Sequence, residues 1–161
     1  MNIICIVNGD LEENCYIIHN NQSALIVDPG SESDKIFKVI DDLKLSVKGV
    51  LITHYHFDHV LCLDEVIDKY KVETIDYKSR VKKIDRFEFE IIKNYGHTMD
   101  SVSFYFRKEK VMFTGDFMFR DGIGKYSSKH ENVMYESLKS FCKFDDDIVI
   151  YPGHGDSSTV G

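Results

Sequence analysis

Six consecutive residues, His54-Tyr55-His56-Phe57-Asp58-His59, carry three imidazoles and a carboxylate, and no other stretch restricts the chain as much. Imidazole and carboxylate are the usual protein ligands for zinc, iron and manganese. Side chains alternate along extended backbone, so a His-x-His pair there sends both rings to one side. The preceding Val50-Leu51-Ile52 is a continuous apolar run of the kind shown by a strand covered on both faces. The cluster is therefore expected where that strand ends, which is where α/β proteins keep their sites.

The flanking patterns give the expected order of elements. Asn2 to Val7, Cys15 to His19 and Ala24 to Val27 read as strands, separated by polar turns at Asn8-Gly9-Asp10 and Asn20-Asn21. Asp28-Pro29-Gly30 ends that meander, and Ser31 or Ser33 is placed to cap a helix with the apolar stripe Ile36, Phe37, Ile40 and Leu43. Val60, Leu63, Ile67 and Tyr70 recur at helical spacing, which puts Asp58 and His59 at a helix N-terminus. Phe87 to Ile91 and Val102 to Phe106 alternate as strands, and Lys110 to Thr114 is a strand that ends at Asp116. Met134, Leu138 and Phe141 mark a last helix, and Ile148 to Tyr151 a buried strand that delivers His154. Strands, helix, strands and helix predict an α+β chain with two sheets face to face and helices outside.

With 161 residues the chain has the size of one domain, spanning 1–161, and can bury roughly 70% of its unfolded surface without staples. Cys5, Cys15, Cys62 and Cys142 are scattered, and no signal peptide precedes the first strand-like run, so reduced thiols and a cytoplasmic location are expected. No apolar run approaches the roughly 20 residues that span a bilayer. The net charge of −7 argues against broad, nonspecific affinity for nucleic acid.

Three later segments follow the histidine cluster in order: Gly96-His97-Thr98, Thr114-Gly115-Asp116 and Pro152-Gly153-His154-Gly155. With Asn14-Cys15-Tyr16 and Val27-Asp28-Pro29-Gly30 upstream, the chain resembles the metallo-β-lactamase fold superfamily over nearly its whole length. The resemblance implies an αββα sandwich of two mixed sheets with flanking helices. It also implies that His54, His56 and His97 hold one metal, that Asp58, His59 and His154 hold a second, and that Asp116 bridges them. Asp28 resembles the carboxylate beneath the metals that orients a ligand. The implied cofactors are two divalent ions, zinc by default with iron or manganese as substitutes, because N/O ligand sets select these ions poorly. The implied reaction is hydrolysis by a metal-bridging hydroxide, with Asp58 or Asp116 handling the proton.

Gly122-Ile123-Gly124-Lys125 resembles the glyoxalase II branch, the hydroxyacylglutathione hydrolases, and implies a small-molecule substrate, a thioester or ester held in part by Lys125, with Tyr126 beside it. A lactonase would use the same seven ligands; a persulfide dioxygenase of this fold would use one iron on two His and an Asp; a non-catalytic metal-binding protein is the reading from another class. Three features depart from the branch. Val60-Leu61-Cys62 follows His59 where small glycines are usual, which puts bulk near the second metal; Cys62 itself reads as a packing thiol. The segment from His59 to His97 is shorter than expected, and no C-terminal helical domain follows to supply glutathione contacts. Gly96, Gly115, Gly153 and Gly155 are expected to allow tight turns, and His19 and His130 are given no role.

Overall fold

The computed structural model describes residues 1–161. The first half of the chain builds one sheet and its covering helices: β1 (Asn2–Asn8), β2 (Glu13–Asn20), β3 (Ser23–Val27), α1 (Ser33–Asp42), β4 (Ser46–Leu51), α2 (Phe57–Val60), α3 (Leu63–Tyr70) and β5 (Thr74–Ile75). Its strands lie in the order β1-β2-β3-β4-β5, antiparallel across the first two pairs and parallel across the last two. A small hairpin, β6 (Lys83–Ile84) and β7 (Phe87–Glu88), precedes the second half. There follow β8 (Glu90–Lys93), β9 (Val102–Phe106), β10 (Val111–Gly115), the hairpin β11 (Met118–Phe119) and β12 (Gly122–Ile123), α4 (Glu131–Phe141), β13 (Val149–Pro152) and β14 (Ser158–Thr159). The second sheet runs β14-β13-β10-β9-β8 and is likewise mixed, with β10 and β13 parallel.

Period-two packing explains the layers. In β2 and β3, Ile18, Leu25 and Val27 face the second sheet, where they meet Phe104, Phe106 and Phe113. The intervening Ile17, Ala24 and Ile26 face outward against Ile36 and Ile40 of α1 and Val66 of α3. On the far side, Tyr105, Met112 and Ile150 pack under Met134 and Phe141 of α4. The result is the αββα sandwich, and both faces of the central strands are covered, which is why those strands read as unbroken apolar runs.

Three local expectations need correcting. Neither Ser31 nor Ser33 caps α1: Glu32 is the N-cap without a side-chain cap bond, and the Ser33 hydroxyl donates instead to Glu65 Oε2. The helix expected from Val60 to Tyr70 is broken at Leu61-Cys62, because the Asp28-Pro29-Gly30 turn binds its backbone. Gly30 N donates to the His59 carbonyl at 3.0 Å, and Cys62 N donates to the Gly30 carbonyl at 2.9 Å. The strand expected over Phe87 to Ile91 divides between β7 and β8, which pair with different partners, although Phe87 and Phe89 both reach the inter-sheet core.

Candidate metal centre

The polar end of the sandwich collects five histidines and two aspartates. His54, His56, His97 and Asp116 form one group, and Asp58, His59 and His154 a second, with the ligand atoms of each group within 4.8 Å of one another. Each side chain arrives from the end of an element. Residues 53–56 follow β4, Asp58 and His59 lie in α2, His97 follows β8, Asp116 follows β10, and His154 follows β13. The structure therefore brings together every residue that the sequence marked as a candidate ligand.

Hydrogen bonds fix which nitrogen each ring presents. His97 Nδ1 donates to the Lys125 carbonyl at 2.6 Å and His154 Nδ1 to the Leu11 carbonyl at 3.0 Å. Thr53 Oγ1 donates its single proton to Asp28 Oδ2 at 2.6 Å, so at 3.1 Å from His54 Nδ1 it must accept. His59 Nδ1 donates to Asp28 Oδ2 at 3.0 Å. These four rings therefore turn Nε2 inward as a lone-pair donor. His56 is the exception: its Nδ1 faces inward, 3.1 Å from His54 Nε2 and 3.0 Å from His97 Nε2.

Asp116 joins the groups. Its Oδ1 lies 3.3 Å from His59 Nε2, while its Oδ2 lies 3.6 Å from both His97 Nε2 and His154 Nε2. Asp58 Oδ2 is 3.3 Å from His154 Nε2 and 3.6 Å from His59 Nε2. Gly153 makes the convergence possible, since a Cβ there would collide with Asp116 Oδ1 and His59 Cε1.

The donor set fits divalent cations. His59 Nε2 and Asp116 Oδ1 are buried without a hydrogen-bond partner, an expensive arrangement unless something positive is shared between them. Ligands held about 2.0–2.1 Å from zinc in a tetrahedron stand about 3.3 Å apart. The separations of 3.0 to 3.6 Å cluster around that value. Without a cation, protons take part of this role. Burial alone would lower the His59 pKa, but the Asp116 and Asp28 carboxylates outweigh it and raise it to about 11. Burial would raise Asp116, but His59 and the other imidazoles hold it down to about 2. Burial, then the His59 charge, keep His54 well below the ordinary histidine value.

Beneath the donors lie two buried carboxyl groups, those of Asp28 and Glu13. Asp28 adopts a left-handed conformation (φ 46°), a strained geometry for a non-glycine residue. Its Oδ1 accepts from Thr53 N at 2.8 Å and its Oδ2 accepts from the Thr53 hydroxyl and His59. Sequence reasoning missed Glu13. This residue is 1% exposed, its Oε1 lies 3.7 Å from His59 Nδ1, and its Oε2 accepts from Asn8 Nδ2 at 3.2 Å. Burial pushes its carboxyl up to about 9. Asn14 was visible only as part of a motif. Its Nδ2 donates to the Pro152 and Gly155 carbonyls at 3.1 and 2.8 Å, fixing the turn that carries His154.

The remaining candidates sit apart from the donors. Cys62 is buried with its thiol donating to the Pro29 carbonyl at 3.2 Å, which is the packing role expected of it. Lys125 is exposed and meets the centre through its carbonyl, while Tyr126 is 41% exposed.

The model of the metallo-beta-lactamase superfamily matches residues 8–81 and 78–154. The chain belongs to that superfamily. It is 29% identical to hydroxyacylglutathione hydrolase GloC of Haemophilus influenzae, over 100% of this chain and 94% of that protein. Its fold is similar to BLEG-1 B3 metallo-beta-lactamase, with a TM-score of 0.92 at 23% identity over 99% of this chain and 94% of that one. It is also similar to TTHA1623, solved in a di-iron-bound form, with a TM-score of 0.85 at 22% identity over 98% and 94% of the two chains. No helix is long and apolar enough to cross a membrane.

Proposed function

We propose that this chain is a dinuclear-metal hydrolase that cleaves a small thioester or ester. The observation that carries the reading is the pair of donor groups sharing Asp116, whose Oδ2 is 3.6 Å from a histidine of each. His54, His56 and His97 would hold one ion, Asp58, His59 and His154 the other, with zinc as the default and iron or manganese as substitutes. Two such ions would supply an acidified water and a polarised acyl oxygen at neutral pH.

The chain's own residues do the rest. Asp58 and Asp116 would offset only part of the charge of two dications, which would leave the centre a positive field for an acyl oxygen as it gains negative charge. Asp58 is 14% exposed and so meets both solvent and the inner face of the site; it accepts the proton of the attacking water and returns it to the leaving group. In the balanced reaction a C–O bond forms from water, the acyl C–S or C–O bond breaks, and a thiol or alcohol leaves with the proton. Lys125 and Tyr126, both exposed beside the His97 anchor, would bind an anionic end of the substrate. The name of the Haemophilus influenzae relative makes a hydroxyacyl glutathione thioester the first substrate to test.

The test is hydrolysis of S-lactoylglutathione and simple aryl esters by zinc-loaded protein, with a chelated control. Chelator-sensitive turnover supports the proposal. Protein that carries two ions per chain and turns over no thioester or ester would overturn it.

A further inference from the structure

Of the three rings in the first donor group, His56 is the one with no support behind it. His54 leans on the Thr53 hydroxyl and His97 on the Lys125 carbonyl, but the His56 ring meets only those two rings. A ring without an outer partner takes its place from its main chain. β4 ends at Leu51, so no strand ladder holds Tyr55 or His56. The backbone there is held from two sides instead. On the C-terminal side the His56 carbonyl accepts from His59 N at 3.1 Å, in the first turn of α2. On the N-terminal side Tyr55 N has no main-chain partner and donates to Asp100 Oδ2 at 3.1 Å. The Tyr55 side chain is fixed as well, its hydroxyl donating to Asp76 Oδ2 at 2.9 Å just beyond β5.

Asp100 reaches that amide from the loop that carries His97. Gly96 N donates to the Thr98 carbonyl at 3.1 Å, Thr98 N donates to Ser101 Oγ at 3.2 Å, and the Thr98 and Ser101 hydroxyls lie 2.6 Å apart. The loop is thus folded on itself, and Val102 N, donating to the Thr53 carbonyl at 2.8 Å, hangs one end of it on the segment that carries His54. The Asp100 carboxylate makes the second connection between the two. It is half-buried and meets this one amide and no side-chain cation, the setting of a charge-assisted bond to the main chain. We infer that Asp100 is a positioning residue for the first donor group: through the Tyr55 N–H it sets His54-x-His56 against His97, and so governs how tightly those three rings hold their ion. The inference rests on the two-ion reading and adds to it a residue outside both donor groups.

The test is zinc affinity, read by competition with a chelator of known affinity in two backgrounds. His154→Ala leaves the first group whole, and His56→Ala leaves the second. In the His154→Ala chain, Asp100→Ala should weaken zinc about 10-fold, the low end for loss of a partner beyond the ligands. Asp100→Asn keeps an oxygen acceptor for the Tyr55 N–H and should stay within about three-fold of its parent. The visible absorption of cobalt in the same chain, which reports ligand geometry, should change with Ala and return with Asn. In the His56→Ala chain, Asp100→Ala should move the affinity by less than about two-fold. Equal losses in both backgrounds would make Asp100 a general support of the fold, and no loss in either would make its bond idle; each result overturns the inference. An Asn variant as weak as the Ala variant would assign the effect to charge alone and also overturns it. Should a background chain fail to fold, stepwise titration of the parent and of Asp100→Ala reads the same split, one step weakened and the other unmoved. A folded parent that takes up a single ion fails the two-ion reading, and the inference then stands or falls on whether Asp100→Ala weakens that ion and Asp100→Asn restores it. Uptake of none overturns both.

Discussion

The two donor groups lie against each other but are supported differently. In the second group, His59 is fully buried and gripped from below by the Asp28 carboxylate, with Glu13 behind it. In the first group, His54 leans on a hydroxyl and His97 on a main-chain carbonyl. His56 is exposed, and its ring meets only the other two rings. A carboxylate behind an imidazole raises its basicity and holds the ring, whereas a neutral acceptor only orients it. His154 of the second group rests, like His97, on a main-chain carbonyl, and it is the carboxylate behind His59 that makes the second group the stiffer and more strongly donating half. The residue common to both is the place where their difference can be tested most severely.

Asp116→Asn keeps the shape of the shared side chain and removes its charge. Activity should fall beyond the roughly 10²–10³-fold that loss of one preorganised electrostatic contact costs, with an unchanged circular dichroism spectrum and fewer than two ions per chain by elemental analysis. Full turnover would rule out a shared carboxylate. Asp28→Ala strikes His59 of the second group directly and reaches His54 of the first only through the Thr53 hydroxyl. Affinity for the ion of the His59 group should drop ~10–100-fold when the His59 support goes, as read by competition with a chelator of known affinity. The fold should also lose about 1–3 kcal/mol through the orphaned Thr53 N–H. Equal weakening of both ions would mean that the groups are not separately supported.

The support is also what the sequence hid. The seven candidate donors and Asp28 that the structure brings together were legible through the resemblance of their motifs to the superfamily, the first histidine cluster also by its own density at the end of an apolar run. Glu13 was not, since Glu12-Glu13 reads as an ordinary polar turn. Only the start of β2 buries residue 13 while leaving residue 12 exposed. The carbonyl anchors at Leu11 and Lys125 have no side-chain signature at all. The fold shows the same limit. Apolar periodicity correctly gave the faces of Phe87 and Phe89, but not their hydrogen-bond partners, and it ran one helix through a break that only the distant Gly30 creates. Local patterns report which side is buried, and tertiary backbone bonds decide where elements stop.

Titration gives a weaker perturbation of the same contrast. His59, raised to about 11, and Glu13, raised to about 9, both lie above their ordinary values. Each contributes stability that is complete below its unfolded pKa, about 6.5 and 4.3, and that is lost as pH climbs through the folded value. Asp116, held at about 2, contributes stability that is present above the ordinary carboxylate value and lost only in strong acid. Below about pH 7 the lowered pKa values of His54 and His97 oppose the loss from His59 and Glu13, so the Tm of metal-free protein should decline from about pH 7 to about pH 9. A cation on His59 Nε2 must displace its proton, so stabilisation by zinc should grow over that interval. Differential scanning calorimetry of both forms should give curves that diverge with pH; parallel curves would mean that His59 does not bind the ion.

The mildest test separates an anchor made by a side chain from one made by the main chain. Lys125→Ala removes an exposed ammonium that makes no ion pair and retains the carbonyl that receives His97 Nδ1 at 2.6 Å. Metal affinity should stay within about two-fold, and stability within about 0.5 kcal/mol, in contrast to Asp28→Ala. If Lys125 holds an anionic end of the substrate, KM for a glutathione thioester should rise roughly 1.5- to 5-fold, the worth of one exposed ion pair. kcat, and KM for an uncharged ester, should not move. A loss of metal affinity in this variant would show that the loop around Lys125 supports His97 through more than its backbone, and would remove the distinction between a stiff and a compliant half.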